Sequence, residues 1–314
     1  MGMHVLVIGG TRFVGRLLTW RLLARGHRVT HLNRGTRPTP FGTEVDLLRA
    51  DRTSEDFARV LQGRRFDACV DFAAFDAPDV LGAIGHVRCD HYVFISSGQV
   101  YLVREGAPFA CRETDYEGAL IARPTTAHDE AEWSYGVKKR AAEDALARAW
   151  SDIAFPSTRL RIPMVNGEND YRGRIARYLE PLARGDRLIL PDAGQTPMRH
   201  VYADDVARAI VSLLGDESTF GEAYNLAQDE TPTLAELVEL LAEQLGTRAR
   251  TEVLSTEQIV GRGLDVEEIS PFSTRWMSFL ETSKAKYDLA FRPTPLREQL
   301  ARITAAWLAH GAAD

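Results

Sequence analysis

The sequence predicts an α/β fold, a doubly wound parallel sheet with a smaller C-terminal α/β lobe, on three observations. Apolar runs of strand length alternate with helical stretches through the first half of the chain. The first such run, His4 to Ile8, passes directly into Gly9-Gly10-Thr11-Arg12-Phe13-Val14-Gly15 and then into a helical pattern. The length of 314 residues, 45% of them apolar, suits one large α/β unit with a lobe built from its later crossovers.

The opening element carries a mechanism. Strand, glycine turn and helix are the context in which backbone amides approach a pyrophosphate and a helix N-terminus favours its charge. Val14, Leu17, Leu18 and Leu22 share one helix face, and Gly26 is the expected stop. Gly9 and Gly15 match the outer glycines of Gly-x-x-Gly-x-x-Gly, whereas Arg12 takes the middle position. Thr11, Phe13 and Val14 complete the turn, which makes the fold Rossmann-like. A second strand, residues 28–32, ends at Asn33-Arg34. An acidic residue there suits NAD and an arginine suits NADP, so the reading leans to NADP over NAD, with Arg34 as a solvated loop residue the alternative. Asp51 follows the third strand, residues 45–48; it either faces the adenine or caps the helix that begins near Ser54. Strands at 66–72 and 91–95 follow, the second leading into Ser96-Ser97-Gly98-Gln99-Val100-Tyr101.

Tyr135 and Lys139 lie four residues apart in a strongly helix-forming segment, so both occupy one helix face. An ammonium beside a phenol favours the phenolate and lowers its pKa. Taken alone the pair is weak evidence; the glycine turn and the hydroxyls after the fifth strand give it weight.

Several motifs in order identify a resemblance to the extended short-chain dehydrogenase/reductases, also called NAD-dependent epimerase/dehydratases. They are the glycine turn, Ala73-Ala74, Ser-Ser-x-x-Val-Tyr, Tyr-x-x-x-Lys, Arg161-Ile162-Pro163, Ala203-Asp204-Asp205-Val206-Ala207 and Tyr224-Asn225-Leu226. The resemblance covers nearly the whole chain. It implies that Ser97 positions the substrate oxygen, that Tyr135 is the acid/base, and that Lys139 tunes Tyr135 and holds the nicotinamide ribose. By the same resemblance Ala73, Ala74 and Ile162 border the cofactor. Two departures bear on the substrate. Where sugar-nucleotide dehydratases carry two acidic residues after the catalytic hydroxyl, this chain has Gly98 and Gln99, which exchange no proton near neutral pH. Where many sugar-nucleotide epimerases place a diphosphate-binding arginine, this chain has Met198, and Arg199 stands one residue along, facing the other way on a strand. Gln99 and Arg199 remain the substrate-side candidates, with Arg172, Arg174, Arg177 and Arg275 as other phosphate ligands.

Two activities are expected from these residues. One is a sugar-nucleotide epimerase that transfers hydride at a carbinol/carbonyl carbon; the alternative is an NADPH-dependent ketone reductase acting on a less polar metabolite. The glycine opening is also similar to that of chloroplast stem-loop-binding proteins, which associate with RNA, but a net charge of −6 without a basic tract argues against a nucleic-acid partner.

The dinucleotide-binding domain is expected to comprise residues 1–162 plus 196–228, and the substrate lobe 163–195 plus 229–314. Helices are expected at 171–184, 204–214, 233–245 and 298–310, with a short strand at 188–190. The stretch 102–133 is too long for a simple loop and reads as a substrate lid or as an excursion over a sheet edge. His128 within it is more plausibly solvated than catalytic. Three cysteines, Cys69, Cys89 and Cys111, have no metal-ligand spacing, so no metal is expected and a reducing, cytoplasmic setting is. No apolar run reaches membrane-spanning length. The first strand starts too early for a signal peptide, and Leu6 fails the myristoylation pattern suggested by Met1-Gly2. A homodimer through the helices near 81–86 and 133–149 is expected by analogy with relatives.

Overall fold

A computed structural model describes residues 2–311, so the Met1 end of that myristoylation reading lies outside the described residues. The chain forms two units. The first takes residues up to 162, then 204–226 and 280–292; the second takes 163–203, 227–279 and 293 onward. From the sequence, 196–203 and 227–228 are expected in the first unit and 280–292 in the second. Residues 280–292 belong with the first because Leu280 bridges to Cys111 and Lys284 donates to the Ala223 carbonyl.

The first unit begins with β1 (His4–Ile8), α1 (Phe13–Ala24), β2 (Arg28–Asn33), β3 (Val45–Arg49) and α2 (Glu55–Leu61). It continues through β4 (Ala68–Asp71), α3 (Ala77–His86), β5 (Tyr92–Ser97), α4 (Gln99–Leu102), α5 (Ala127–Ile153) and β6 (Ser157–Ile162). The chain then enters the second unit with β7 (Val165–Asn166), α6 (Ala176–Arg184), β8 (Arg187–Pro191) and β9 (Val201–Tyr202). It returns through α7 (Ala203–Leu213) and β10 (Ala223–Asn225), leaves again for α8 (Leu234–Gln244), β11 (Arg250–Leu254), α9 (Thr256–Gly261) and α10 (Val266–Ile269), and ends in α11 (Ser283–Asp288) of the first unit and α12 (Leu296–Gly311) of the second.

Seven strands form one sheet in the order β3-β2-β1-β4-β5-β6-β10, and every pair is parallel. Helices on both faces explain why β4 is buried at every position and why these strands read as apolar runs rather than alternating ones. Leu6, Ile8, Phe57, Val80 and Phe94 lie in one core cluster of this unit. The end of α1 shows how local chemistry sets a boundary. Gly26 adopts φ +76°, its N–H reaches the Leu23 carbonyl, and the His27 N–H reaches back to Leu22. That is a Schellman closure, which a side chain at Gly26 would strain.

Helix α5 begins at Ala127, six residues before Trp133, because the Thr126 hydroxyl accepts the Asp129 N–H and caps it. In the second unit α6 begins at Ala176 rather than 171: Gly173 has φ +62°, and Asp170 takes the N–H groups of Arg172 and Arg174 into a turn. Two short parallel pairs, β7 with β9 and β8 with β11, complete that unit. Its core gathers Tyr178, Leu179, Met198, Leu237, Val238 and Phe272. The long excursion after α4 is anchored by Glu105 and Ile121, whose N–H groups reach Ala119 and Val103. Part of it does cover an edge. The outward N–H of Asn225 on β10 donates to Glu113, and the Asn225 amide donates to the Cys111 carbonyl.

Candidate active site at the strand ends

The glycine turn after β1 is built by close approach. Gly9 has φ +88°, and a Cβ on Gly15 would stand 2.8 Å from Gly10 Cα and 2.9 Å from the Gly9 oxygen. A Cβ on Gly10 would stand 2.7 Å from His31 Nε2. Arg12 can replace the middle glycine because its backbone is extended, at φ −131° and ψ 152°. Phe13 carries the strain instead, at φ +43°. The Arg12 side chain does not cap α1 and no acidic residue occupies its first turn, so the helix N-terminus presents a field that favours an anion. Beside it opens a cleft of about 440 Å³, bordered by Gly9, Thr11, Arg12, Asn33, Arg34, Arg37, Asp51, Ala73 and Phe75. A helix N-terminus without a side-chain cap, glycines with no room for a Cβ and a cleft at the ends of β1 and β2 together fit a dinucleotide.

At the cleft's far end Asn33 is a turn-maker. Its Oδ1 accepts the Gly35 N–H at 2.8 Å, which places the exposed Arg34 and Arg37 on the rim. Arg37 was missed in sequence because it lies beyond the strand end where an arginine is sought. Asp51 also makes a turn: its Oδ1 takes both the N–H and the hydroxyl of Thr53, and these bonds hold its carboxyl below the ordinary value. Ser54 holds the N-cap position of α2 with its hydroxyl donated back to the Asp51 carbonyl, so Asp51 borders the cleft without capping that helix. Asp71, fully buried, orders the next loop. Its Oδ1 accepts the N–H groups of Ala73 and Ala74 while Arg52 pairs with both Asp71 and Asp79. A charged residue inside an apolar strand was the available signal for Asp71.

Ser97 ends β5, registered against Ile162 of β6, and the Gly98 N–H donates to the Ile162 carbonyl at 2.8 Å. The Ser97 hydroxyl accepts the Gln99 N–H at 3.2 Å. Helix α5 lies tightly against this corner: a Cβ on Gly136 would stand 2.8 Å from the Gln99 oxygen. The helix turn that carries Tyr135 is therefore held against the Gln99 backbone by a glycine that cannot be enlarged. Lys139, one turn on, is buried, and its ammonium donates to the carbonyls of Ala74 and Ile95, both at 2.8 Å. It lies 5.9 Å from the Tyr135 ring centre and 5.2 Å from that of Phe75. Burial pulls the Lys139 pKa down to about 8, although Asp71 and Glu143 oppose the fall. Gln99 is buried, and its amide donates to the carboxylate of Glu132, one helical turn before Tyr135. Phe75, half-exposed, stands with its ring centre 6.0 Å from that of Tyr135. Neither Glu132 nor Phe75 has a motif that names it.

Beneath this corner lies a buried polar network. Glu143 accepts two bonds from Arg161 Nε at 3.0 Å, one from Nη2 at 2.6 Å, and one from the Ser96 hydroxyl. Burial alone would raise the Glu143 pKa, but the Arg161 guanidinium holds it below its usual value. Arg161 also donates to the Tyr101 hydroxyl, which donates to Asn225. The Ser-Ser-x-x-Val-Tyr and Arg-Ile-Pro motifs thus meet in one structure.

In the second unit Met198 is fully buried and Arg199 turns the other way, donating to the Thr231 hydroxyl at 2.6 and 3.0 Å. Arg174 pairs with Asp170, Arg177 binds carbonyls of 267 and 268, and the Arg275 guanidinium lies 4.9 Å from the Trp276 ring centre. His128 sits at the start of α5. Among the described residues no cluster of metal-ligating side chains occurs and no helix is long and apolar enough to cross a membrane.

The fold and the cleft define a dinucleotide-binding α/β protein of the doubly wound class. Residues 5–227 match the model of the NAD dependent epimerase/dehydratase family, and the chain belongs to that family of nicotinamide-dinucleotide-dependent enzymes. It is 28% identical over 282 residues to 2'-dehydrokanamycin reductase of Streptomyces kanamyceticus, covering 87% of this chain and 75% of that protein. It is 24% identical over 257 residues to the chloroplast stem-loop binding protein of 41 kDa b of Arabidopsis thaliana, covering 77% of this chain but only 63% of that one. The fold is shared with dTDP-glucose 4,6-dehydratase of Bacillus anthracis in complex with NAD, at TM-score 0.76, 17% identity and coverage of 99% and 98% of the two chains.

Proposed function

We propose that the protein is an NADPH-dependent carbonyl reductase with net turnover of its cofactor, using Ser97, Tyr135 and Lys139. The observation that carries this reading is the arginine rim of the cleft: Arg12, Arg34 and Arg37 border the end where a 2'-phosphate would lie. The N-terminus of α1 would hold the pyrophosphate, Ala73 and Ala74 would flank the cofactor, and Lys139 would reach its ribose. When bound, the cofactor supplies the hydride. The chain's own groups manage the proton: Ser97 donates a hydrogen bond to the carbonyl oxygen, and Tyr135 delivers its proton there as negative charge develops. The buried Lys139 ammonium, already aimed at two carbonyls, reduces the cost of the resulting phenolate.

Met198 in the core and Arg199 on Thr231 support a substrate without a nucleotide diphosphate, and the reductase relative supports net reduction. The family assignment keeps a second reading, epimerisation of a sugar nucleotide on a retained cofactor. One experiment separates them. Protein denatured directly after purification should release little nucleotide and, when fresh, should bind NADPH reversibly and more tightly than NADH. Stoichiometric release of NAD would overturn the reductase reading in favour of epimerisation. We further propose a homodimer through the outer faces of α3 and α5, where Leu81, Trp150 and Ile153 are exposed, and a cytoplasmic setting, supported by three free cysteines.

A further inference from the structure

Among the described residues Glu132 is a carboxylate tied through Gln99 to the Ser97 hydroxyl. It lies three residues before Tyr135 on α5, and therefore on the same helix face. The buried amide of Gln99 donates to it, and the same residue's backbone N–H donates to Ser97, so one residue ties the carboxylate to the hydroxyl. The basic side chains of the neighbouring turn are turned elsewhere. Lys139 donates to the Ala74 and Ile95 carbonyls, Arg140 donates to the Val100 carbonyl and lies over the Tyr116 ring, and Lys138 is exposed. Among the described residues Glu132 thus has a neutral amide for a partner and no cation. A half-buried carboxylate oriented by a neutral donor has its remaining lone pairs left for a ligand.

We propose that Glu132, oriented by Gln99, binds an ammonium group on the substrate close to the carbonyl that is reduced, so that the substrate class is an aminated sugar or similar amino ketone. This rests on the reductase reading and deepens it. The same carboxylate would repel a phosphate or a uronate, which agrees with Met198 standing where a diphosphate-binding arginine is expected.

The test titrates methyl α-glucosaminide and methyl α-glucoside, which differ by an ammonium in place of a hydroxyl, into the enzyme with bound NADP+ at pH 6.5. The amine should bind about tenfold more tightly or better, as a charge-assisted pair requires. Glu132→Gln should remove that preference while its NADP+ affinity, measured in the same titration, stays that of the parent protein; Glu132→Asp should keep part of the preference. Equal binding of the two glycosides, binding of neither, or a preference that survives Glu132→Gln would overturn the assignment. Failure of the reductase reading shows separately, as retained NAD or absence of NADP+ binding, and leaves the amine preference readable on the protein as isolated.

Discussion

Each unit hides a polar cluster, and the two are finished differently. In the first, Ser96, Glu143, Arg161, Tyr101 and Asn225 are linked donor to acceptor, with the Glu143 carboxylate taking four bonds. In the second, Asn166, His200 and Gln228 are as deeply buried, yet Asn166 Oδ1, His200 Nε2 and Gln228 Oε1 have no protein partner. Asn166 Nδ2 lies 2.7 Å from His200 Nδ1, so that ring nitrogen accepts and Nε2 is left as an unpaired donor. A satisfied network fixes the backbone that carries Ser97 and Tyr135. An unfinished one leaves one donor and two acceptors, a set that ordered water can complete. Polar groups are thus fully paired beneath the strand end where the chemistry is proposed and incompletely paired in the other unit.

Breaking the finished network should have the largest effect. Glu143→Ala strands a buried guanidinium and should cost about 3–5 kcal/mol in urea unfolding, whereas an apolar pair at 143 and 161 should recover much of it. Tyr135→Phe should lower kcat about 10²–10⁴-fold with NADPH affinity retained; wild-type turnover in this variant would remove Tyr135 from the reaction. Lys139 titrates near pH 8 in the fold, protonated below and neutral above. Carbonyl reduction should therefore fall on the alkaline side with a midpoint near that pH, and Lys139→Met should be slow and lack that limb.

The unfinished cluster predicts smaller effects. Burial pulls His200 down to about 3 from an ordinary value of 6.5. Between those values the unfolded chain binds the proton that the folded one refuses, so stability is lost as pH falls from about 6.5 toward 3. His200→Phe should flatten part of that acid slope while changing stability at pH 7 by about 1 kcal/mol or less. An equal loss at pH 7 from His200→Phe and Glu143→Ala would erase the contrast. Smallest of all, Ala154 ends α5 at φ +53°, and Ala154→Gly should raise stability by up to about 1 kcal/mol.

The elements of the first unit were readable along the chain because each depends on neighbours in sequence. β1, the glycine turn and the Gly26 stop follow from apolar runs, backbone freedom and helix closure, and Tyr135 and Lys139 share a face by helical spacing alone. Local turns were harder: Gly173 and Asp170 shortened α6, and Thr126 lengthened α5, through single caps that periodicity does not register. The roles of Asp51 and Asn33 were open for the same reason, since a carboxylate or amide that makes a turn looks like one that awaits a ligand.

Only the tertiary structure decided the rest. It put Arg37 on the rim of the cleft, committed Arg199 to Thr231, and drew Glu132 and Gln99, 33 residues apart, into one hydrogen bond. Sequence spacing fixes what lies on one helix or strand, because the backbone geometry is periodic. Which elements then meet depends on packing such as the contact of Gly136 with Gln99, where the absence of a side chain, invisible as a signal, sets how closely α5 can approach.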